Sequence, residues 1–408
     1  MTPTERQTLR TLAARWKELA SLPVMAERRR QWTALKDLRP ERPMVLFEAS
    51  LLESYVDPGE LVCTDPDLRA AEHRLRLGIR HAEEIGDDLV LEPRFLLYWD
   101  IEQSDYGVPI ELTHATDAQG GSLGYHFNHP LRSPADVRKL RPRTRRVDRA
   151  KTLARRDLLQ GIFGDVLPVE IRGTGGLLAS LTSDLFRLVG NDNLLTWPFD
   201  APEALRTVVA FLRDDRLALY GWMEREGLLG LNNDDHLVGS GSPGYTTALP
   251  SPGYAGAARL RDLWLWMESQ ETTMISPAMF ADFFLPAMKD IAALFGLVYY
   301  GCCEPVHDRW HLVEPAMPHI RAVSISPWCD QRVMGERLGK RRVFSRKPKP
   351  WLVSGASPDW PGLEKDLDET LDAARDGCLE IICRDVYRID GDRPRLRRWT
   401  DLVRSRIG

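Results

Sequence analysis

Residues 263–304 read LWLWMESQETTMISPAMFADFFLPAMKDIAALFGLVYYGCCE, with two short apolar runs on either side of one long amphipathic segment. The runs, Leu263–Met267 and Leu297–Tyr300, have the length and residue content of buried strands. The segment between them, Pro277–Phe295, has the length of a helix. Because parallel strands need a long connection, usually a helix, this order predicts a βαβ unit of a parallel sheet.

The same alternation of short apolar runs with helix-length segments continues along most of the chain, for example around the amphipathic stretches Pro202–Glu224 and Leu363–Asp376. Eight runs are candidate strands: Met44–Phe47, Val166–Ile171, Leu228–Leu231, Leu263–Met267, Leu297–Tyr300, Ala322–Ile325, Val343–Phe344 and Leu379–Ile382. Eight such units predict an α/β fold of the (β/α)8 TIM-barrel type. We expect residues 1–40 to form an N-terminal helical extension and residues 41–408 the barrel, with an insertion at about 88–160.

Composition limits the class of protein. The 408 residues are 43% hydrophobic and 28% charged, which is typical of a globular chain and excludes a disordered or fibrous one. The net charge of −4 is too balanced for a dedicated nucleic-acid binder. No apolar run approaches the 18 or so residues of a membrane span, and the charged N-terminus shows no signal peptide. We therefore expect a cytoplasmic protein.

Polar residues follow the predicted strands at the end where each strand stops. A (β/α)8 enzyme carries its active site at the carboxyl ends of its strands, so these residues are the candidate site. The groups are Asn232–Asp235, Glu268–Glu271, Gly301–Glu304, Ser326–Asp330, Ser345–Lys347 and Cys383–Asp385.

Cysteine and histidine residues in these groups suggest a metal centre. Cys302, Cys303 and His307 form a C-C-x-x-x-H pattern, and thiolate and imidazole are ligands that zinc prefers. Cys329 and Cys383 lie at neighbouring strand ends, where either is a candidate third ligand. The alternative is that the adjacent cysteines are two small buried apolar residues. On spacing alone both interpretations stay open.

Carboxylates and cations supply the acid–base candidates. Glu268, Glu271, Glu304, Asp330 and Asp385 are expected around the same mouth, and crowding should raise the pKa of at least one of them. Lys347 and Arg346 either hold a substrate carboxylate or pair with these acids. Asn232 and Asn233 are expected to orient a polar substrate. The loop Gly239–Gly244 is glycine-rich, and we expect it to be flexible and to cover the site.

Several of these segments resemble the uroporphyrinogen decarboxylase-like superfamily, in particular its divergent, methyltransferase-related branch. They are GLLGLNNDD at 227–235, WMESQETTMISP at 266–277, FGLVYYGCCEPVHDRW at 295–310, VSISPWCD at 323–330 and the Lys347–Pro348 step. The resemblance runs from about residue 66 to residue 400. It implies a (β/α)8 barrel with an N-terminal helical extension, and a homodimer.

The superfamily contains two classes of enzyme. Its uroporphyrinogen decarboxylases carry arginines at the first strand for the carboxylates of the porphyrinogen, whereas the matching residues Leu46–Ser50 contain none and present Glu48. Its corrinoid-linked methyltransferases bind zinc through an H-x-C motif and a later cysteine. Here Cys303 matches that cysteine, Gly301 occupies the histidine position and Cys383 lies near the later cysteine. His307 or Glu271 are the candidate replacements for the missing histidine.

The resemblance makes a zinc-dependent methyltransferase our leading hypothesis, with methylcobalamin supplied by a corrinoid partner protein. In that case Cys302, Cys303, His307 and Cys383 are the metal-ligand candidates. The alternative is a metal-independent decarboxylase or lyase for a small carboxylate other than uroporphyrinogen, with Lys347 or Arg346 holding the carboxylate. A third possibility is a barrel that binds a ligand without turnover. We expect a small-molecule substrate and neither a nucleic acid nor a membrane as partner.

Overall fold

The computed structural model describes residues 1–53, 55–116, 122–174 and 176–407. Its helices are α1 (Pro3–Ala20), α2 (Pro23–Lys36), α3 (Pro66–Glu84), α4 (Arg149–Phe163), α5 (Leu181–Asp200), α6 (Pro202–Arg225), α7 (Pro277–Phe283), α8 (Leu285–Ala292), α9 (Trp310–Ala316), α10 (Gln331–Leu338), α11 (Trp360–Ala373) and α12 (Pro394–Ile407). Its strands are β1 (Met44–Phe47), β2 (Phe95–Leu97), β3 (Ile101–Gln103), β4 (Leu112–Thr116), β5 (Ser122–Phe127), β6 (Arg145–Val147), β7 (Val169–Ile171), β8 (Leu178–Ala179), β9 (Leu237–Gly239), β10 (Ser242–Pro243), β11 (Trp264–Met267), β12 (Leu297–Tyr300), β13 (Ile320–Ile325), β14 (Val343–Arg346) and β15 (Cys378–Cys383).

Seven parallel strands form the main sheet, in the order β1-β15-β14-β13-β12-β11-β8. Helices connect most of these strands, so the predicted α/β class is confirmed. Six of the eight predicted strands lie in this sheet. The backbone ladder stops at β1 and β8, and in the part of the chain that the structure describes no strand pairing joins these two edges. A closed eight-stranded barrel is therefore not shown.

Two predicted strands differ in the structure. Residues 228–231 form no strand, and Leu228 instead packs into the core after α6. A four-residue apolar run does not distinguish a strand from a buried connection, and that ambiguity explains the error. The run at 166–171 is a strand only over β7, which pairs with β2 outside the main sheet. The place beside β11 is taken by the two-residue β8.

The main sheet is curved. The guanidinium carbon of Arg384, next to the end of β15, lies 6.0 Å from the centre of the Trp266 ring in β11. In a flat sheet, four strand spacings of about 4.8 Å would put β15 about 19 Å from β11, and side chains on one face would stand roughly perpendicular to the sheet rather than point toward each other. The sheet thus wraps its inner face around a shared interior.

The two faces of the sheet bury different residues. Met44, Trp264, Tyr299 and Ile382 belong to a cluster on the inner face. Residues in the alternate register, such as Phe47, Met267 and Cys383, belong to the larger cluster shared with the helices. This alternation follows from the two-residue period of a strand, and it decides which predicted site residues face the interior.

The two N-terminal helices pack against different parts of the molecule. Leu9 of α1, Leu75 of α3 and Phe163 of α4 are buried in a common cluster. Lys36, the last residue of α2, extends its side chain into the interior and binds Glu380 of β15. Within the described ranges, none of the helices combines the length and the apolar character needed to cross a lipid bilayer.

The loop Gly239–Gly244 is buried, so the expectation of a flexible cover was wrong. A side chain at Gly239 would overlap the Tyr299 ring, which explains why the smallest residue stands there. Ser242 Oγ lies 2.5 Å from Lys36 Nζ and 2.8 Å from Glu380 Oε1. The loop consists of small residues because it lies inside the curved sheet and does not cover its open edge.

Candidate functional site

The adjacent cysteines lie directly after β12, at the carboxyl edge of the sheet. Gly301 has a φ of 95°, a left-handed conformation that glycine adopts without strain, and it turns the chain out of the strand. Cys303 is exposed and Cys302 is half-buried. Their sulfur atoms are 3.7 Å apart. The sequence prediction of a thiol pair at this strand end therefore corresponds to two side chains that meet.

Glu304 holds this turn in place. Its carboxylate accepts hydrogen bonds from the backbone N–H of Cys302 at 2.8 Å and from that of Ser269 at 2.9 Å. Burial raises the pKa of Glu304, while these backbone hydrogen bonds oppose the rise. Both oxygens are engaged, so Glu304 ties the loop after β12 to the loop after β11. The structure shows Glu304 in a positioning role, and its expected catalytic role stays a prediction.

The two thiols affect each other's ionisation. The hydrogen bond from the Cys302 thiol lowers the pKa of Cys303 and raises that of Cys302. The positive charge of Arg384 favours the thiolate at both positions, against the effect of burial. Cys303 is therefore the sulfur of the pair that ionises first. A thiolate is the form that acts as nucleophile or metal ligand.

Two further glutamates lie at the end of β11. Glu268 is buried, accepts a short hydrogen bond from the Ser180 hydroxyl and accepts another from the Gln270 backbone N–H at 3.0 Å. Burial, together with the charges of Glu271 and Glu304, raises the pKa of Glu268 well above its usual range. Glu271 accepts a hydrogen bond of 2.7 Å from the Thr182 hydroxyl. The expected rise in the pKa of a crowded carboxylate thus occurs at Glu268.

An open pocket of about 690 Å³ lies above Cys303 and Glu271. Its walls come from the β4–β5 hairpin and from α5, including Tyr125, Phe127 and Phe186. The hairpin belongs to the insertion that the sequence places at about 88–160. A thiol, a carboxylate and an aromatic wall are thus accessible together from outside.

The remaining predicted metal ligands lie elsewhere. His307 Nδ1 accepts a hydrogen bond from the Asp330 backbone N–H at 3.2 Å, and its Nε2 lies 3.3 Å from Asp308. Cys383 is fully buried on the helix-facing side of β15, where burial raises its pKa. Cys329 is likewise part of that core. No three of the predicted ligands bring their donor atoms within 4.8 Å of one another.

Among the described residues, the one group with metal-ligand spacing is Asp234, Asp235 and His236. Asp234 lies 2.8 Å from Arg94 Nη2 and also forms a short ion pair with Arg172. His236 Nδ1 is 2.5 Å from Asp234. The acidic charge of this group is already compensated by cations, so the group serves to join the loop at 232–236 to the β2 and β7 region.

The two basic candidates after β14 face in opposite directions. Arg346 points toward the helices and binds Asp366 of α11 at 2.8 and 3.0 Å, which excludes it from the site. Lys347 lies inside the curved sheet, with Nζ 2.5 Å from Ser345 Oγ. Burial lowers the pKa of Lys347 to about 7. The sequence left open whether these two residues hold a substrate carboxylate or pair with acidic residues. Of the two, only Arg346 forms an ion pair with a described acidic residue.

The two asparagines are structural. Asn232 Nδ2 donates to the Trp264 carbonyl at 3.0 Å, and its Oδ1 accepts from the Trp264 N–H at 2.9 Å, as a neighbouring strand would. Asn233 Nδ2 donates to the Leu249 carbonyl at 2.8 Å. Asn232 thus uses both ends of its amide on the backbone, and Asn233 uses its Nδ2, so both side chains hold this connection in place. Asp385 is partly exposed at the rim, 3.3 Å from Arg384 Nε.

No role was predicted from the sequence for three polar residues at this edge. Glu48 follows β1, Arg384 follows β15, and Ser240 lies in the buried loop beside Gly241. Glu48 Oε2, Ser240 Oγ and Arg384 Nη1 are buried without a hydrogen-bond partner among the described residues. The available signal was position, because Glu48 comes directly after the predicted strand Met44–Phe47 and Arg384 comes two residues after Leu379–Ile382.

No family model and no curated protein matches this chain. Among solved structures, a methyltransferase from Methanosarcina mazei is similar, with 11% identity and a TM-score of 0.48. The match covers 93% of this chain and 99% of that one. At this level of identity and overlap the likeness assigns neither an activity nor a family to this chain.

Proposed function

We propose that the protein is a methyltransferase whose reaction centre is the Cys302–Cys303 thiol pair. The observation that carries the proposal is the position of Cys303, which is exposed at the carboxyl edge of the sheet with its sulfur 3.7 Å from that of Cys302. The hydrogen bond from the Cys302 thiol lowers the pKa of Cys303. In this proposal the methyl group comes from methylcobalamin on a corrinoid partner, as the resemblance to corrinoid-linked enzymes implies, and it goes to an acceptor thiol.

Zinc fits the thiol pair in one respect. Two sulfurs bound to one tetrahedral zinc at about 2.3 Å are about 3.8 Å apart, close to the observed separation. The pair thus matches one edge of a zinc site, whereas His307 and Cys383 do not contribute to it. Zinc held by Cys302 and Cys303 would supply the Lewis-acid chemistry that keeps an acceptor thiol deprotonated.

The surrounding residues have separate roles in this proposal. Glu271 lines the pocket with Cys303 and is placed to accept, on its carboxylate, the proton that the acceptor thiol loses. The raised pKa of Glu268 favours its neutral form, which adds no negative charge beside the thiolates. Arg384 offsets the negative charge that ionisation of the pair creates.

The test is elemental analysis of the purified protein together with transfer of the methyl group from methylcobalamin to 2-mercaptoethanol. We expect about one zinc per chain and methyl transfer in the native protein, and loss of both in Cys303→Ser. Cys378→Ala is the matched control, because Cys378 is buried at the opposite end of β15. Methyl transfer that persists in Cys303→Ser would refute the proposed centre.

One observation favours a second candidate, a metal-independent decarboxylase or lyase for a small carboxylate. Glu268 is a buried acid whose raised pKa favours the protonated form, and Arg384 has an unpartnered Nη1 that suits a carboxylate. Lys347, with its pKa lowered to about 7, would then be available as a base near neutral pH. Turnover of a carboxylate substrate that survives a chelator but not Glu268→Gln would favour this candidate over methyl transfer.

A further inference from the structure

An incomplete polar cluster lies next to the thiol pair. Glu48 and Arg384 follow the neighbouring strands β1 and β15, and their side chains are only 11% and 14% exposed. Glu48 Oε2 is 3.3 Å from Arg384 Nε, but it forms no hydrogen bond with a described residue. Nη1 of Arg384 is also unpartnered. Buried polar atoms normally have a hydrogen-bond partner, so these two atoms need an explanation even though their side chains form an ion pair.

The chain closes this cluster from below. A Cβ atom placed on Gly241 would lie 3.1 Å from Glu48 Oε2 and 2.9 Å from the Ile382 side chain. Ser240, the preceding residue, is 1% exposed and its hydroxyl has no partner among the described residues. The loop therefore leaves no room for a side chain between Gly241 and the Glu48 carboxylate.

The charges of the cluster select the kind of ligand. The carboxyl groups of Glu48 and Asp385 both lie beside the guanidinium of Arg384, and burial lowers the pKa of Lys347 to about 7, so that Lys347 is only partly charged near neutral pH. A simple anion would meet two carboxylates as well as the guanidinium. A ligand with a carboxylate and an ammonium group satisfies both orphans, because Arg384 Nη1 donates to the carboxylate and Glu48 Oε2 accepts from the ammonium.

We propose that Glu48 and Arg384, with Ser240 beside them, form a binding subsite for the α-amino carboxylate group of a free amino acid. The subsite lies near the thiol pair, since Arg384 acts electrostatically on both cysteines. The inference rests on the proposed function only where it identifies the bound amino acid as the methyl acceptor or the methyl donor. Binding itself requires no turnover.

Three probes of matched shape test the subsite. L-2-Aminobutyrate carries both charged groups, butyrate lacks the ammonium, and propylamine lacks the carboxylate. Ligand-observed NMR titration of the full chain should give a Kd for aminobutyrate at least about tenfold lower than for either other probe. Equal or tighter binding of butyrate or propylamine, or no binding of aminobutyrate, would overturn the proposal.

Variants assign the two contacts. Arg384→Gln should abolish binding of aminobutyrate. The nearly isosteric Glu48→Gln should raise the Kd for aminobutyrate about tenfold and should reduce the preference of the protein for aminobutyrate over butyrate. Arg375→Gln is the control, because Arg375 is 72% exposed and pairs with Asp372 at the surface. If Glu48→Gln leaves both the Kd and the preference unchanged, the subsite is refuted.

The thiol pair separates the two proposals. Cys303→Ser should keep the native Kd for aminobutyrate, because neither contact involves that sulfur. Selective binding without any methyl transfer would reject the proposed methyltransferase and retain the subsite. Methyl transfer by a protein that binds the three probes equally would retain the proposed methyltransferase and reject the subsite.

Discussion

Lys36 and Glu380 form an ion pair of 2.5 Å in which neither side chain is exposed. The ion pair joins the end of α2 to the inner face of β15. Ser242 from the buried loop completes it with hydrogen-bond contacts to both partners. It is therefore the point at which the N-terminal helices, the sheet and the loop are held together.

Lys36→Met should destabilise the protein by about 3–5 kcal/mol, because it leaves the Glu380 carboxylate buried and uncompensated. Equilibrium unfolding in urea measures the change. Arg30→Met is the comparison, since Arg30 pairs with Glu27 at the surface, where a salt bridge contributes about 0–1 kcal/mol. Similar losses in both variants would contradict a special role for the buried pair.

Lys347→Met should stabilise the protein, and more so as the pH falls. The folded state lowers the pKa of Lys347 from 10.5 to about 7, so the unfolded chain binds more protons between these values. The folded state therefore bears no penalty above pH 10.5 and the full penalty below about pH 7, roughly 3–5 kcal/mol. Unfolding free energies of both proteins at pH 7 and pH 10 test this. A difference that does not shrink toward pH 10 would show that the pKa is not lowered.

Cys302→Ala should raise the pKa of Cys303, because it removes the thiol that donates to the thiolate. The rate of iodoacetamide alkylation at Cys303, located by mass spectrometry after chelator treatment, should then reach half its maximum at a higher pH. Cys302→Ser keeps a donor and should shift this midpoint less. Identical midpoints in the two variants would show that the neighbouring thiol does not control Cys303.

Gly239→Ala should cost at least about 1–3 kcal/mol, because the new methyl group overlaps the Tyr299 ring in a packed interior. Gly161→Ala in α4 is the matched control, since its methyl group meets nothing within 4 Å and alanine favours a helix. Thermal unfolding of the two variants distinguishes them. Equal melting temperatures would mean that the loop has room at Gly239.

The sheet was largely predictable and the site only in part. Runs such as Ala322–Ile325 are strands because short apolar runs that alternate with amphipathic helices are buried most readily side by side in a sheet covered by those helices. The face of the sheet toward which each side chain points was harder to predict. Cys383 and Arg384 are consecutive, and the two-residue period sends them to opposite faces, so only Arg384 lies on the inner side with Glu380 and Ile382.

The roles of polar residues at strand ends were hard to predict for a different reason. Glu304 and Asn232 have the chemistry of catalytic groups, but their partners are backbone N–H and C=O groups of distant segments. A single sequence does not reveal such partners. The unpaired atoms of Glu48 and Arg384, in contrast, become visible only after every neighbour has been placed.

The buried loop also limits what can react here. Because Ser240 and Gly241 are buried next to Glu48, this connection fills part of the interior of the curved sheet. The space left for a bound molecule then depends on a few small residues of one connection and on the hairpin above Cys303. Exchanging that connection for a bulkier or a shorter one should change selectivity while the seven strands of the main sheet stay the same.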